Sequence, residues 1–209
     1  MSESFSFDAQ AHLYRLGKRL IPSVTNVLRI TGISRDLRMV RPDVLEAKRQ
    51  IGIALHRCLH FLQERDLDPT SIDDQLQPYL SAYRLFVKQH GFKQESVELH
   101  LAPTLLGMPY GMTLDVTGLI RGEPWLIDFK TSTGNPDYGW SIQVAAYAHG
   151  MGPPLIPPFY YRRASLQLLS SGKYKFKEWT DPGDLEEFQW ALAIVWRRIN
   201  RGEKPWIDK

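Results

Sequence analysis

Apolar and polar positions along the chain follow two rhythms, and the points where one gives way to the other mark its elements. Residues 6–24 alternate on either side of Leu16-Gly17-Lys18, which predicts a hairpin with arms "FDAQAHLYR" and "RLIPSV". Ser23 is placed to cap a short helix over 25–30, ended by Gly32. Over 42–63, Ile51, Ala54, Leu55, Cys58, Leu59 and Leu62 recur at three- and four-residue steps, the spacing of a helix with one buried stripe. A second helix is expected over about 75–90, with Pro78 in its first turn and Gly91 as its stop.

The rhythm then shortens. "SVELHL", "GMTLDVTGLI" and "PWLIDFKT" are rich in Val, Ile, Leu and Trp and separated by Gly and Pro, so they read as strands, the last two joined tightly by Arg121-Gly122-Glu123. Helical spacing returns over 138–149. A strand pair, "YYRRASLQLL" and "KYKFKEW", turns at Ser170-Ser171-Gly172, and Asp181, Pro182 and Asp184 open a last helix reaching about Asn200. Without repeats or low-complexity linkers, this order predicts one α/β domain over 1–209: a central mixed β-sheet flanked by helices. Residues 1–92 supply an N-terminal hairpin and helical segment, 93–150 the core, and 151–209 a hairpin and C-terminal helix.

Composition narrows the class of protein. The chain has 209 residues, enough for one sizeable hydrophobic core, and its 43% hydrophobic and 23% charged content is ordinary for a soluble protein. No stretch approaches the roughly twenty apolar residues that span a bilayer, and "MSESFSFDAQ" lacks the basic flank and apolar run of a signal peptide, so a cytoplasmic location without membrane contact is expected. Cys58 is the only cysteine, which rules out an intrachain disulfide and a four-cysteine iron–sulfur cluster. The net charge of +3 is compatible with nucleic acid without requiring it. Basic residues cluster at Arg15, Lys18 and Arg19, at Arg35, Arg38 and Arg41, at Arg162 and Arg163, and at Arg197, Arg198 and Arg201; each cluster alone reads as solvated surface. Acidic residues gather elsewhere, at Asp66, Asp68, Asp73 and Asp74.

One constellation does not fit a solvated surface. Asp115 interrupts an apolar strand, Asp128 sits between Ile127 and Phe129 on the neighbouring strand, and Lys130 shares the face of Asp128 because strand side chains alternate. A carboxylate inside a core strand is costly unless paired, hydrogen-bonded or bound to a metal. An Asp128–Lys130 salt bridge would account for two of the three and leave Asp115 unexplained. Two carboxylates also make a hard oxygen site for Mg²⁺ or Mn²⁺, which lowers the pKa of water and stabilises charge on a phosphoryl oxygen, with a lysine beside it to orient the nucleophile.

These residues carry a family resemblance. "GMTLD", eleven residues and "IDFKTS" resemble the strand pair with an aspartate and a D/E-x-K motif that forms the core of the PD-(D/E)XK nuclease superfamily. "GIALH" is similar to the G-x-x-x-H signature of its RecB-like branch, "VELHL" to that branch's upstream glutamate strand, and "QVAAY" to its Q-x-x-x-Y helix. "IPSVTNVL" resembles the opening of phage-type and mitochondrial single-strand exonucleases, so the likeness runs in the family's order over about residues 20–150. The resemblance implies a restriction-endonuclease-like fold. It implies that Asp115, Asp128, the Phe129 carbonyl and His56 bind the catalytic metal, His56 favouring Mn²⁺ through its softer nitrogen. Lys130 would position the attacking water or stabilise the phosphorane. Gln143 and Tyr147, four apart on one helix face, would approach the scissile phosphate and the DNA backbone.

Other assignments stay open. Glu98 is a second-metal ligand, an orienting partner or an exposed strand glutamate, and Ser23 and Thr25 are either phosphate contacts or a helix cap. His56 and His60 have the spacing of a zinc pair, but Arg57 stands where an H-E-x-x-H site needs its glutamate. With no Gly-Lys-Ser/Thr loop in the sequence, a free-standing deoxyribonuclease is expected rather than a helicase-linked one. Its partner would be DNA, single strands or ends preferred, with Trp140, Tyr147, Tyr160 and Tyr161 as aromatics on which bases could stack. An endonuclease and a non-catalytic DNA-binding module are the alternatives, and a homo-oligomer is compatible with all three.

Overall fold

A computed structural model of the chain describes residues 4–34, 41–64, 66–132, 134–153, 155 and 160–203. Its elements are β1 (Phe5–Asp8), β2 (Leu13–Leu16), β3 (Arg19–Ile21), α1 (Val24–Ile30), α2 (Pro42–Glu64), α3 (Gln77–His90), β4 (Lys93–Leu101), β5 (Thr104–Leu105), β6 (Met108–Pro109), β7 (Met112–Ile120), β8 (Glu123–Lys130), α4 (Tyr138–Met151), β9 (Arg162–Leu168), β10 (Tyr174–Trp179) and α5 (Gly183–Asn200).

The central sheet has the order β10-β9-β8-β7-β4. Its pairs are antiparallel except β8 with β9, whose parallel pairing is made by the α4 crossover. β8 is buried on both sides. Trp125, Ile127 and Phe129 face a core built with α2 and α3, while Leu126 joins a second core with α1, α4 and α5. Asp128 and Lys130 alternate onto that second side, toward α4. The β7–β8 hairpin closes at Ile120 and Glu123 on Arg121 and Gly122, both at positive φ (54° and 84°), as a two-residue turn with the twist of the strands requires. No described helix is long and apolar enough to cross a membrane.

The expected mixed sheet flanked by helices is observed, with three local differences. The arm "FDAQAHLYR" is two strands, because the Asp8 carboxylate accepts the Ala11 N–H at 3.0 Å and His12 turns the chain at φ 52°. The three strands β1–β3 then form a meander instead of one hairpin. The small β5–β6 pair, two residues per strand, is too short to leave a periodic signal. At α5, Pro182 is the N-cap and Asp181 before it accepts the Gly183 N–H at 2.8 Å, while Asp184 turns inward to Ser141 of α4 and Arg163 of β9.

Five of the nine described residues in the basic clusters have a carboxylate or an aromatic ring beside them. Arg162 binds Glu123 and Glu178, Arg163 binds Asp184, Arg41 binds Asp43, Arg198 binds Glu203, and Arg19 lies over the Trp196 ring. Arg35 and Arg38 lie outside the described residues.

Candidate active site

β7 and β8 stay in register from Ile120 and Glu123 to Val116 and Ile127, and there their backbone pairing stops. Asp115 is the next residue of β7. Its Oδ2 accepts the Phe129 N–H at 2.6 Å, so a side chain takes the place of a ladder carbonyl and the strands part. On the other edge of β7 the ladder is also disturbed: β4 shifts register between Gln94 and Ser96, and Glu98 has a φ of 46°. The opening gives access to side chains from both sides of the sheet, from α2 on one and α4 on the other.

A cleft of about 690 Å³ occupies this opening. All ten candidate residues line it: Ser23, Thr25, His56, Glu98, Asp115, Asp128, Phe129, Lys130, Gln143 and Tyr147. They come from the start of α1, from α2, β4, β7, β8 and α4. His56 Nδ1 lies 3.2 Å from Asp115 Oδ1. Lys130 Nζ lies 2.5 Å from Asp128 Oδ2 and donates to Gln143 Oε1 at 2.9 Å. Gln143 Nε2 in turn donates to the Tyr147 hydroxyl at 2.8 Å. The centre is therefore two linked strings: His56–Asp115–Phe129 N–H, and Asp128–Lys130–Gln143–Tyr147.

Asp115 is thus fully partnered, and its burial needs no metal to explain it. The less satisfied carboxylate is Asp128, at 3% exposure. Its Oδ2 makes the close ionic contact with Lys130 at an angle that forms no hydrogen bond. Burial, with the Asp115 charge nearby, outweighs the Lys130 ammonium and pushes Asp128 up to about 6. Burial would push Asp115 the same way, but His56, the Phe129 N–H and Lys130 together hold it below the usual carboxylate range. The Asp115 charge raises His56 above an ordinary histidine against the effect of burial.

The donor chemistry fits a hard divalent cation. Two carboxylates and an imidazole meet in one cleft that Phe129 also lines, and one carboxylate is buried without a hydrogen bond to Oδ2. They are not set as a ready-made cage: among the described residues no three His, Cys, Asp or Glu side chains are disposed to hold a metal. Lys130 and His56 instead occupy the carboxylates. His60 lines the same cleft as His56 and lies 3.5 Å from Glu64 and 3.8 Å from Glu98.

Ser23 is the α1 cap, its Oγ accepting the Asn26 N–H at 3.1 Å, and it also contacts Thr25 Oγ1 at 3.0 Å while both face the cleft. Tyr147 lines the cleft but is 4% exposed, the Lys130 ammonium lies 5.5 Å from the Trp140 ring centroid, and Tyr160 and Tyr161 are not among the residues lining the cleft. Sequence reasoning missed a polar wall. The Tyr14 hydroxyl contacts Thr113 Oγ1 at 2.5 Å, and Thr113 contacts His100 Nδ1 at 2.8 Å. Thr113 was accessible through strand alternation, two residues before Asp115 on the same face. Tyr14 belongs to β2, nearly a hundred residues away, and no local pattern ties it to the site.

No protein-family model matches the chain, and no curated protein matches it in sequence. The fold has counterparts among solved structures. A chain from Eubacterium rectale, provisionally named an exonuclease, superposes with a TM-score of 0.52, covering 87% of this chain and 80% of its own at 14% identity. Likeness at that identity establishes a shared fold. A second solved chain aligns at a TM-score of 0.39 and 16% identity over 75% of this chain and 77% of its own, too low to carry an argument.

Proposed function

We propose that this protein is a divalent-metal-dependent DNA nuclease of the PD-(D/E)XK type, with a RecB-like centre, acting as an exonuclease on single strands or DNA ends. The observation that carries the reading is convergence. Ten residues chosen from motifs spread between Ser23 and Tyr147 line one cleft, the two aspartates and the lysine among them. The name of the Eubacterium rectale counterpart agrees with this class of chemistry.

Asp115, Asp128, His56 and the Phe129 carbonyl would hold Mg²⁺ or Mn²⁺, with Glu98 at the margin. When bound, the ion supplies Lewis acidity toward a phosphoryl oxygen and an acidified water. The protein's own groups do the remaining work. Lys130, held on one side by Gln143, presents its ammonium where negative charge builds on the phosphate or where the attacking water must be oriented. Gln143 fixes the direction of that ammonium. Ser23 and Thr25 present hydroxyls to a neighbouring phosphate.

The test is a digestion panel with Mg²⁺ or Mn²⁺ on linear single strands, linear duplexes, end-blocked strands and circular single strands. The expected result is loss of linear DNA from free ends with the circle intact, and about a hundred- to thousandfold loss in Lys130→Ala. A cleaved circle moves the reading to an endonuclease. Binding without cleavage, unchanged in Asp115→Ala, makes the protein a DNA-binding module.

A further inference from the structure

The helix α5 turns Phe188, Ala191, Leu192, Val195 and Trp196 into the core. Its opposite face carries a different series: Glu186, Trp190, Ile194, Arg197 and Arg201, at helical steps along one stripe and all exposed. Trp190 is 62% exposed and Ile194 54%, and both lie on the same unpacked line. Tyr138, 56% exposed, adds to this patch by bonding through its hydroxyl to Glu187. A solvated helix face has no use for a tryptophan and an isoleucine one turn apart.

The order of charge along the stripe points to what covers it. Acid lies at its N-terminal end and base at its C-terminal end, with the two apolar residues between. Turned end for end, the stripe is complementary to itself. With a two-fold axis opposite residue 192, Trp190 of one copy meets Ile194 of the other at the same height, since each lies two residues from the centre. Glu186 and Arg197 of facing copies then differ in height by only about 1.5 Å, one helical rise. The apolar pair sits in the middle and the ion pairs flank it, the arrangement of an isologous interface with a desolvated anchor and a polar rim. No residue lining the cleft belongs to α5, so the pairing leaves both clefts open.

We propose that the outer face of α5 is a homodimer interface, two copies pairing antiparallel through Trp190 and Ile194 with Glu186–Arg197 pairs on each side. The proposal does not depend on the nuclease reading. The experiment is the mass of the full chain in solution, by sedimentation or light scattering across its soluble concentration range, for wild type, Trp190→Glu, Glu186→Arg and Arg197→Glu. Wild type is expected as a dimer, and Trp190→Glu to dissociate at least about thirtyfold more readily, as loss of a central aromatic anchor does. Glu186→Arg and Arg197→Glu each set like charges face to face and are expected as monomers. Mixed together they regain both opposite pairs and should form a heterodimer. Circular dichroism checks that each variant is folded, as these exposed positions allow. A monomeric wild type, a dimer indifferent to Trp190→Glu, or a mixture of the two charge variants that stays monomeric would each overturn the proposal.

Discussion

Asp115 stands in for backbone: its carboxylate accepts the Phe129 N–H at 2.6 Å where the β7–β8 ladder ends. The same residue therefore has a structural duty and, in the proposed chemistry, a metal-binding one, and two substitutions separate them. Asn keeps an acceptor for the Phe129 N–H, whereas Ala leaves a buried donor without one. Metal-dependent cleavage should fall to background in both. Stability should differ, Asp115→Ala unfolding at lower urea by about 1–3 kcal/mol relative to Asp115→Asn. Because both variants remove the charge beside His56, the difference between them reports the uncharged contacts of the side chain, the Phe129 and His56 hydrogen bonds, and equal stabilities would mean that these groups find other partners.

Asp128 makes the metal-free protein sensitive to pH. Its folded pKa of about 6 lies above the value of an unfolded aspartate, so the folded state binds its proton more tightly. Its contribution to stability is complete below about pH 4 and is lost as the pH rises through 6, on the order of 2–3 kcal/mol. Asp115 has the opposite sign: held below its ordinary value, it stabilises above about pH 4 and loses that contribution in stronger acid. Urea midpoints measured without metal should thus decline between about pH 4 and 6 in wild type. In Asp128→Asn the decline over that window should be shallower by one proton's worth. Mn²⁺ should raise the wild-type melting temperature and leave that of Asp128→Asn unmoved. A variant with the wild-type slope would show that Asp128 titrates as an ordinary surface carboxylate.

Much of this centre was legible because its residues break local rules. A carboxylate between Ile127 and Phe129 violates the burial rule for strands, and alternation alone put Lys130 beside it. The capping serine, the Gly91 stop and the tight Arg121–Gly122 turn are local chemistry, and the sequence carries them openly. What it did not carry was tertiary. Whether Asp115 had a partner depended on His56, reached only when α2 packs on the sheet. That Tyr147 is buried depended on α4 being enclosed between the sheet and α5. The Ala9–His12 turn inside an apparently continuous arm needed a side-chain bond from Asp8 that no periodicity registers.

Gln143 and Tyr147 were expected to approach DNA, yet their contacts run inward. Tyr147 holds Gln143, and Gln143 holds Lys130, with Tyr147 buried and its pKa driven well up by that burial. A residue acting through Lys130 should affect the chemical step and not substrate affinity. Tyr147→Phe is expected to lower kcat about tenfold, and Gln143→Ala about a hundredfold, with KM for DNA close to wild type. A DNA contact would give the reverse, a raised KM with kcat preserved and a smaller dependence of binding on salt. Steady-state kinetics on a labelled oligonucleotide at two salt concentrations distinguishes the outcomes.

Two glycines of the cleft make opposite demands. A Cβ on Gly111 would lie 2.1 Å from Cγ and 2.6 Å from Cβ of Tyr14. That ring cannot move aside, being 1% exposed with its hydroxyl bonded to Thr113. Gly111 also bonds through its backbone to Pro22 O and Val24 N, which ties β7 to the start of α1. Gly111→Ala should therefore destabilise by about 1–3 kcal/mol or more and displace Ser23 and Thr25 with Tyr14. Gly52, in the middle of α2, has only Thr131 Oγ1 near its Cβ position, at 3.7 Å, an ordinary contact. Gly52→Ala should stabilise the helix by about 0.5–1 kcal/mol. Since Gly52 lines the cleft, the added methyl stands in the path of substrate, and the expected cost is a higher KM in a protein that melts later. If Gly52→Ala instead melts earlier, the glycine serves the packing of α2 on the sheet and not the clearance of DNA.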